Sequence, residues 1–166
     1  IANYHFSRKS YKVSIEEYLN YLSSHSYQKK MVTNKILLIS DDKDSHALIE
    51  RILSENIKLN SVLYGPIFAD YYFKTQQYEL AYSLHNELGI STTKDIQRWL
   101  DFANSLRIEL QYNKAISAYE KILSTKNKYI TEIIAGEALL GLGITFEDKI
   151  LPKNIEEFSF ITKDNK

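Results

Sequence analysis

Residues 96–129 carry the sequence IQRWLDFANSLRIELQYNKAISAYEKILSTKNKY, and this stretch decides the fold. Its apolar residues recur at helical spacing on two successive faces, with a short break at Leu110 and Gln111. The first face consists of Trp99, Phe102, Ala103 and Leu106, and the second of Tyr112, Ala115, Tyr119 and Ile122. Two short amphipathic helices joined by such a break predict a helical hairpin.

The same hairpin occurs once more, earlier in the chain, at a spacing of about 34 residues. Six positions carry chemically similar residues at this spacing: Phe68 with Phe102, Ala69 with Ala103, Tyr72 with Leu106, Tyr78 with Tyr112, Ala81 with Ala115, and Leu88 with Ile122. A small residue lets two helices approach closely, and the neighbouring ring fills the groove of the adjacent hairpin. We therefore expect a tandem array of helical hairpins.

This pattern resembles the tetratricopeptide repeat (TPR) family, whose repeats of about 34 residues each form two helices. The resemblance is clear over residues 62–129, partial over 130–161 and weak over 27–60, and it departs from the family pattern at Gly65 and His85. It implies an all-α fold, a right-handed α-solenoid of antiparallel helix pairs with about eight to nine helices. The first helix of each pair would line a concave face.

We expect residues 1–166 to form a single TPR-like domain. Residues 1–13 are polar and basic with scattered rings, and we interpret them as a poorly ordered lead-in or a short helix. Residues 162–166 are expected to be a disordered tail. Because the chain begins with isoleucine rather than methionine, we interpret it as a fragment of a longer protein.

The N-terminal part of the chain contains one capping signal. Ser14 followed by Glu17 is a capping-box pattern, in which each side chain bonds the backbone N–H of the other residue. We therefore expect a helix from Ile15 to about Ser24. Its apolar stripe would consist of Ile15, Tyr18, Leu19 and Leu22.

Residues 27–40 and 45–56 also carry apolar side chains at helical spacing, which predicts a degenerate hairpin followed by a polar connector over 56–61. The register of this hairpin against the clear repeats stays open. A step of about 34 residues aligns Ala47 with Ala81, whereas a step of about 36 residues aligns the apolar side chains better.

Capping signals also divide the C-terminal half. Gly89 is expected to end a helix because glycine adopts positive φ at little cost. Thr92 or Thr93 is expected to cap the next helix, with Asp95 near the positive end of that helix. Pro152 would end a later helix or begin the next one.

One longer helix is expected after residue 129, followed by a short terminal helix over 153–161. In the longer helix, Leu142, Gly143 and Phe146 would correspond to Phe102, Ala103 and Leu106. Three glycines, Gly136, Gly141 and Gly143, fall inside this helix, where each costs roughly 0.5–1 kcal/mol. Close helix packing is the expected reason for them.

The composition argues against several classes of function. The chain has 21 basic and 21 acidic residues, so no net field attracts nucleic acid, and most tyrosines lie on apolar stripes. The absence of cysteine excludes disulfides and thiolate metal sites. No apolar run approaches about 18 residues, so membrane insertion is not expected. The compartment stays open, with the cytoplasm preferred.

No catalytic, cofactor or metal site is expected. None of the four histidines has a second histidine at the spacing of a metal site, and no nucleophile elbow or phosphate loop occurs. Residues 35–53 resemble the start of a response-regulator receiver, whose acidic pair would be Asp41 and Asp42. The later phosphate-accepting aspartate and distal lysine of a receiver are missing. We therefore interpret the acidic residues as favourable charges at a helix N-terminus and expect residues 35–40 to be helical.

In TPR proteins the concave face holds a peptide, so the resemblance implies a non-enzymatic scaffold or adaptor that binds a protein or peptide. The groove residues would be Asp70, Phe73, Lys74, Asn104, Arg107, Ile108, Leu140, Ile144 and Glu147. Asn104 is the principal candidate, because a side-chain amide can donate to and accept from a peptide backbone. Some TPR proteins bind the C-terminal carboxylate of heat-shock chaperones, but Leu100 stands where the clamp lysine is expected.

Two other functions remain open from the sequence. The chain could be an assembly segment that associates with itself or with a neighbouring domain. It could also be the peptide-sensing module of a bacterial regulator, in which helical repeats bind a short signalling peptide.

Overall fold

The computed structural model describes residues 1–125 and 130–151. Within these ranges all regular structure is helical, with nine α-helices, two short 3₁₀ turns and no strand. The prediction of an all-α fold is therefore confirmed. The chain divides into two compact units, Ile1–Gly89 and a second unit that begins at Ile90.

The first unit contains six α-helices. They are α1 (Ala2–Ser7), α2 (Tyr11–Ser24), α3 (Lys29–Ile39), α4 (His46–Leu59), α5 (Ser61–Lys74) and α6 (Tyr78–Leu88). Short 3₁₀ turns at Ser26–Gln28 and Lys43–Ser45 precede α3 and α4. Helix α2 packs against α1, α3 and α4, while α5 packs against α3, α4 and α6. The packed helices are thus either consecutive in the chain or separated by one intervening helix.

The N-terminus of α2 differs from the prediction. The predicted apolar stripe is buried, but the helix begins at Tyr11 instead of Ile15. Ser14 lies inside the helix, and its hydroxyl donates to the backbone carbonyl of Ala2 at 3.0 Å. The capping-box assignment is therefore wrong, because α1 packs against α2 and the Ser14 hydroxyl bonds a backbone carbonyl of α1. Residues 1–13 thus contain the short helix rather than only a lead-in.

The predicted polar connector over 56–61 is also wrong. Helix α4 continues to Leu59, and α5 begins at Ser61. Asn60 alone separates them, and its side chain accepts a hydrogen bond from the backbone N–H of Leu63 at 3.0 Å. A single capping asparagine is enough to end one helix and begin the next.

Burial bears on the register of α3 and α4 against the clear repeats. Thr33 and Ser45 are buried, and a step of about 36 residues aligns them with Ala69 and Ala81, which are also buried. Ala47, which the shorter step would align with Ala81, is exposed. The longer step therefore fits the burial pattern better, although Ser45 precedes α4 whereas Ala81 lies inside α6.

One turn conformation recurs in three helical pairs. Lys9, Gln76 and Leu110 have positive φ angles of 55°, 61° and 57°. In each turn the backbone N–H of the residue after the positive-φ residue donates to the carbonyl five residues before it. These hydrogen bonds run from Ser10 to His5, from Gln77 to Tyr72 and from Gln111 to Leu106. This is the Schellman arrangement that closes a helix. The α1–α2, α5–α6 and α7–α8 pairs therefore share one type of turn.

The second unit contains α7 (Thr93–Ile108), α8 (Tyr112–Ser124) and α9 (Glu132–Ile150). Helix α8 packs against both α7 and α9. Thr92, one of the two predicted caps, is the N-cap of α7, and with Asp95 it forms a capping box that the sequence analysis had not specified. Gly89 ends α6 with a φ of 67°, which is also as predicted. Trp99 is fully buried.

The register of α9 is one residue from the prediction. Gly141 and Thr145 are fully or nearly fully buried, whereas Gly143 is exposed and Phe146 is 43% exposed. Gly141 and Thr145 therefore take the packed positions that Phe102 and Leu106 hold in α7, where the sequence had placed Leu142 and Phe146. Gly141 accounts for this register, because a Cβ atom at this position would lie within 2.7 Å of the Tyr119 ring and hydroxyl oxygen. The predicted terminal helix and tail lie outside the described residues, as does Pro152.

The acidic segment after α3 has a structural role. Residues 35–39 belong to α3, so the predicted helix is confirmed up to Ile39. Asp41 forms an ion pair with Lys74 at 2.7 Å, and Asp42 accepts from the Tyr11 hydroxyl at 3.1 Å. A helix in place of the first strand excludes the receiver fold.

Among the described residues, none of the helices has the length and apolar character needed to cross a membrane.

Candidate functional site

A cleft of about 490 Å³ lies between α3 and α5 in the first unit. The α3 wall carries Lys29, Lys30, Thr33, Asn34 and Leu37, and the α5 wall carries Asp70. Both walls are regular helix, so these side chains project from a fixed backbone. In the cleft, the predicted groove residue Asp70 lies opposite polar groups of another helix.

A proline explains how one end of the cleft is held. Pro66 lies inside α5 and has no N–H, so the carbonyl four residues earlier, that of Val62, loses its helical donor. The ammonium group of Lys29 donates to this carbonyl at 3.3 Å. Lys29 thus crosses from α3 to α5 and satisfies a group that the proline leaves open.

A second lysine holds the other end in the opposite direction. Lys74 on α5 donates to the carbonyl of Leu37 at 2.7 Å and pairs with Asp41 at the same distance. Leu37 belongs to the last turn of α3, where carbonyls lack helical partners and a positive charge is favourable. Lys29 therefore bonds from α3 to α5, and Lys74 bonds from α5 to α3. Both lysines stabilise the packing of the two helices.

The side chains between these two lysines carry the chemistry of the cleft. Asn34 and Lys30 are exposed on α3, and Asp70 is exposed on α5. Thr33 is only 7% exposed, and Leu37 is half-buried. The cleft thus offers an amide, a positive charge and a negative charge above a small apolar floor. Such a surface suits a polypeptide segment of mixed charge.

The sequence predicted only part of this site. Asp70 lines the cleft, whereas Phe73 is half-buried with its ring 5.4 Å from that of Tyr78, and Lys74 is tied to α3. Asn34 was missed because the register of its hairpin was open. The repeat spacing did contain a signal for Asn34. The step of about 36 residues aligns Asn34 with Asp70, and the step of about 34 residues aligns Asp70 with the predicted groove residue Asn104.

In the second unit, Asn104 makes a contact that the sequence did not indicate. Its carbonyl oxygen Oδ1 accepts a hydrogen bond from the Tyr119 hydroxyl at 2.6 Å. Tyr119 is fully buried, and burial raises the pKa of its hydroxyl. Asn104 therefore joins α7 to α8 within the hairpin and uses part of its hydrogen-bonding capacity there.

Arg107 joins α7 to α9. Its Nη1 lies 3.0 Å from Oδ2 of Asp148, and the two side chains are 25% and 14% exposed. The Asp148 carboxylate raises the pKa of the Arg107 guanidinium. Since the pair is largely withdrawn from water, removal of one partner would leave a costly buried charge. Arg107 thus has a structural role whether or not it also contacts a ligand.

The remaining predicted groove residues lie on the surface of the second unit. Ile108 and Leu140 are 69% and 65% exposed, Ile144 is half-buried, and Glu147 is exposed. Their role in binding stays a prediction.

Comparison of the chain with protein families, with curated proteins and with solved structures gives no match. In the described part of the chain, no three histidine or acidic side chains come together as a metal site would require.

Proposed function

We propose that this chain is a TPR-like repeat protein that binds a segment of a protein partner in the cleft between α3 and α5. The observation that carries the proposal is the exposed amide of Asn34, which lines the cleft together with Lys30 and Asp70. The two walls of the cleft are joined by the hydrogen bonds of Lys29 and Lys74. Fixed walls reduce the ordering cost of binding.

A right-handed solenoid is part of this proposal. Its support comes from the Schellman turn that recurs at Lys9, Gln76 and Leu110, and from the small buried residues that recur at matching positions of successive helix pairs. Helices α1, α3 and α5 would then be the first helices of their pairs. The cleft would lie on the concave face, where the family resemblance places ligands.

Each group in the cleft has a defined part in recognition. The Asn34 amide would pair with a backbone N–H and C=O of the bound segment, a contact that holds for many sequences. Lys30 and Asp70 would select an acidic and a basic side chain, although exposed ion pairs contribute only about 0–1 kcal/mol each. Leu37 would contact an apolar side chain. We therefore expect micromolar affinity at best.

The test begins with a selection of displayed peptides against the immobilised chain. Binding of enriched peptides is then measured by fluorescence anisotropy for the wild type and for Asn34→Ala. Loss of a backbone hydrogen bond of about 0.5–1.5 kcal/mol predicts an affinity loss of about two- to tenfold. Asn20→Ala is the matched control, because it removes an exposed asparagine from α2, outside the cleft.

Charge reversal gives an independent arm. Lys30→Glu should change which peptides are enriched, from those with an acidic residue to those with a basic one. The proposal is wrong if no peptide is enriched, or if the enriched peptides bind Asn34→Ala and Asn20→Ala equally well.

A further inference from the structure

A second cavity, of about 380 Å³, lies among α1, α2 and α3. Its walls include Ala2, Asn3, Glu17, Tyr18, Tyr21 and Met31. Ala2 and Met31 are partly buried and pack against the core of the unit. The cavity thus combines apolar walls and two aromatic rings with a single carboxylate.

Glu17 is the unusual member of this set. The sequence assigned it to a capping box, but α2 begins at Tyr11 and the carboxylate has no such role. It is half-buried, and it forms no ion pair or side-chain hydrogen bond with any residue in the described ranges. By contrast, the exposed Glu16 lies 3.9 Å from Lys12. A carboxylate partly withdrawn from water favours a cation as its partner.

The two tyrosines are held in place beside Glu17. The Tyr18 hydroxyl donates to Oδ1 of Asn3 at 2.7 Å, and the Tyr21 ring stacks on His25 with centroids 4.3 Å apart. The hydrogen bond orients the Tyr18 ring, and the His25 stack covers one face of the Tyr21 ring. Tyrosine faces attract a cation within about 6 Å of the ring centroid. The cavity therefore presents aromatic and ionic attraction for a positive charge together.

We propose that this cavity binds an alkylammonium group, the side chain of a lysine in the partner segment, with Glu17 as its counter-charge. The origin of the lysine rests on the proposed function. An arginine fits less well, because its five N–H donors need several acceptors and one lone pair of the Asn3 oxygen already accepts from Tyr18. The methylene chain of lysine matches the wall formed by Met31 and Ala2.

The single methionine of the chain makes a direct test possible. Protein labelled with carbon-13 at the methionine methyl group is titrated with N-acetyl-lysine N-methylamide at near-neutral pH. We expect the Met31 resonance to shift saturably, with a Kd in roughly the millimolar range. The norleucine analogue has the same chain without the charge, and it should bind at least about fivefold more weakly.

Matched variants assign the effect to the carboxylate. Glu17→Gln should weaken binding of the lysine compound by about fivefold, which corresponds to about 1 kcal/mol. Glu16→Gln removes the same charge one residue away and should leave binding unchanged. Tyr21→Leu keeps an apolar wall but removes a ring, and it should also weaken binding. Circular dichroism confirms that each variant is folded.

The outcomes separate this proposal from the proposed function. The lysine compound needs no partner segment, so its binding does not depend on the cleft between α3 and α5 or on Asn34. The proposal is overturned if the Met31 resonance does not shift at about 50 mM compound, a level well above the expected Kd. Equal binding of the norleucine analogue, or unchanged binding by Glu17→Gln, would overturn it as well.

Discussion

Gly141→Ala tests how α9 packs on α8. An ideal Cβ atom at this position would lie 2.6 Å from both Cε1 and Cζ of Tyr119 and 2.7 Å from its hydroxyl oxygen. Such distances are far below van der Waals contact, so the ring or the helix must move. Tyr119 is fully buried and its hydroxyl bonds Asn104, so the ring has little freedom to move.

Three contributions set the magnitude of this effect. Alanine is favoured over glycine inside a helix by about 1 kcal/mol, which stabilises the variant. Overpacking a filled core costs about 1–3 kcal/mol. Displacement of the Tyr119 hydroxyl from Asn104 costs a further 0.5–1.5 kcal/mol, roughly. We therefore expect Gly141→Ala to lower the free energy of unfolding by about 1–3 kcal/mol.

The same helix supplies two matched controls. A Cβ atom at Gly136 or Gly143 would have no heavy atom within 4 Å. Gly136→Ala and Gly143→Ala should therefore stabilise the protein by about 0.5–1 kcal/mol through helix propensity alone. The measurement is urea denaturation followed by far-ultraviolet circular dichroism.

A double-mutant cycle makes the cause specific. Tyr119→Phe removes the hydroxyl oxygen that the new methyl group would contact, so the cost of Gly141→Ala should be smaller in that background. The reasoning is refuted if Gly141→Ala is as stable as Gly143→Ala. Equal costs of Gly141→Ala in both backgrounds would instead exclude the hydroxyl contact as part of the penalty.

Three further changes test other parts of the structure. Trp99→Ala should lower the free energy of unfolding by about 3–5 kcal/mol in urea melts, and a loss below about 1 kcal/mol would contradict its burial. Leu110→Gly relieves a positive φ and should raise stability by up to about 1 kcal/mol, whereas a clear loss would contradict the Schellman turn. Burial opposes ionisation of Asp95, but hydrogen bonds from Thr92 and the charge of Arg98 outweigh it, so its pKa is lowered. Because the folded pKa lies below the unfolded one, this stabilisation is present above about pH 4 and is lost as the pH falls through the folded value. Asp95→Asn should therefore lower the Tm at neutral pH, and the difference from the wild type should shrink towards about pH 2.

Local sequence determined most of the secondary structure. The faces of α7 and α8, the turn at Leu110 and the helix cap at Thr92 all follow from patterns within a few residues. These predictions hold because helix periodicity and capping depend on neighbours along the chain. The same reasoning failed at Ser14, whose hydroxyl bonds a residue of another helix.

Tertiary structure alone decided the register between helices and the partners of polar side chains. The shift of one residue in the register of α9 depends on how Gly141 meets the Tyr119 ring, which no local pattern records. In the same way, the contacts of Asn104 with Tyr119 and of Arg107 with Asp148 became visible only once the helices were packed. Helix periodicity defines which face of a helix is apolar. It leaves open which residue of the neighbouring helix that face meets, because that choice depends on the shapes of side chains distant in sequence.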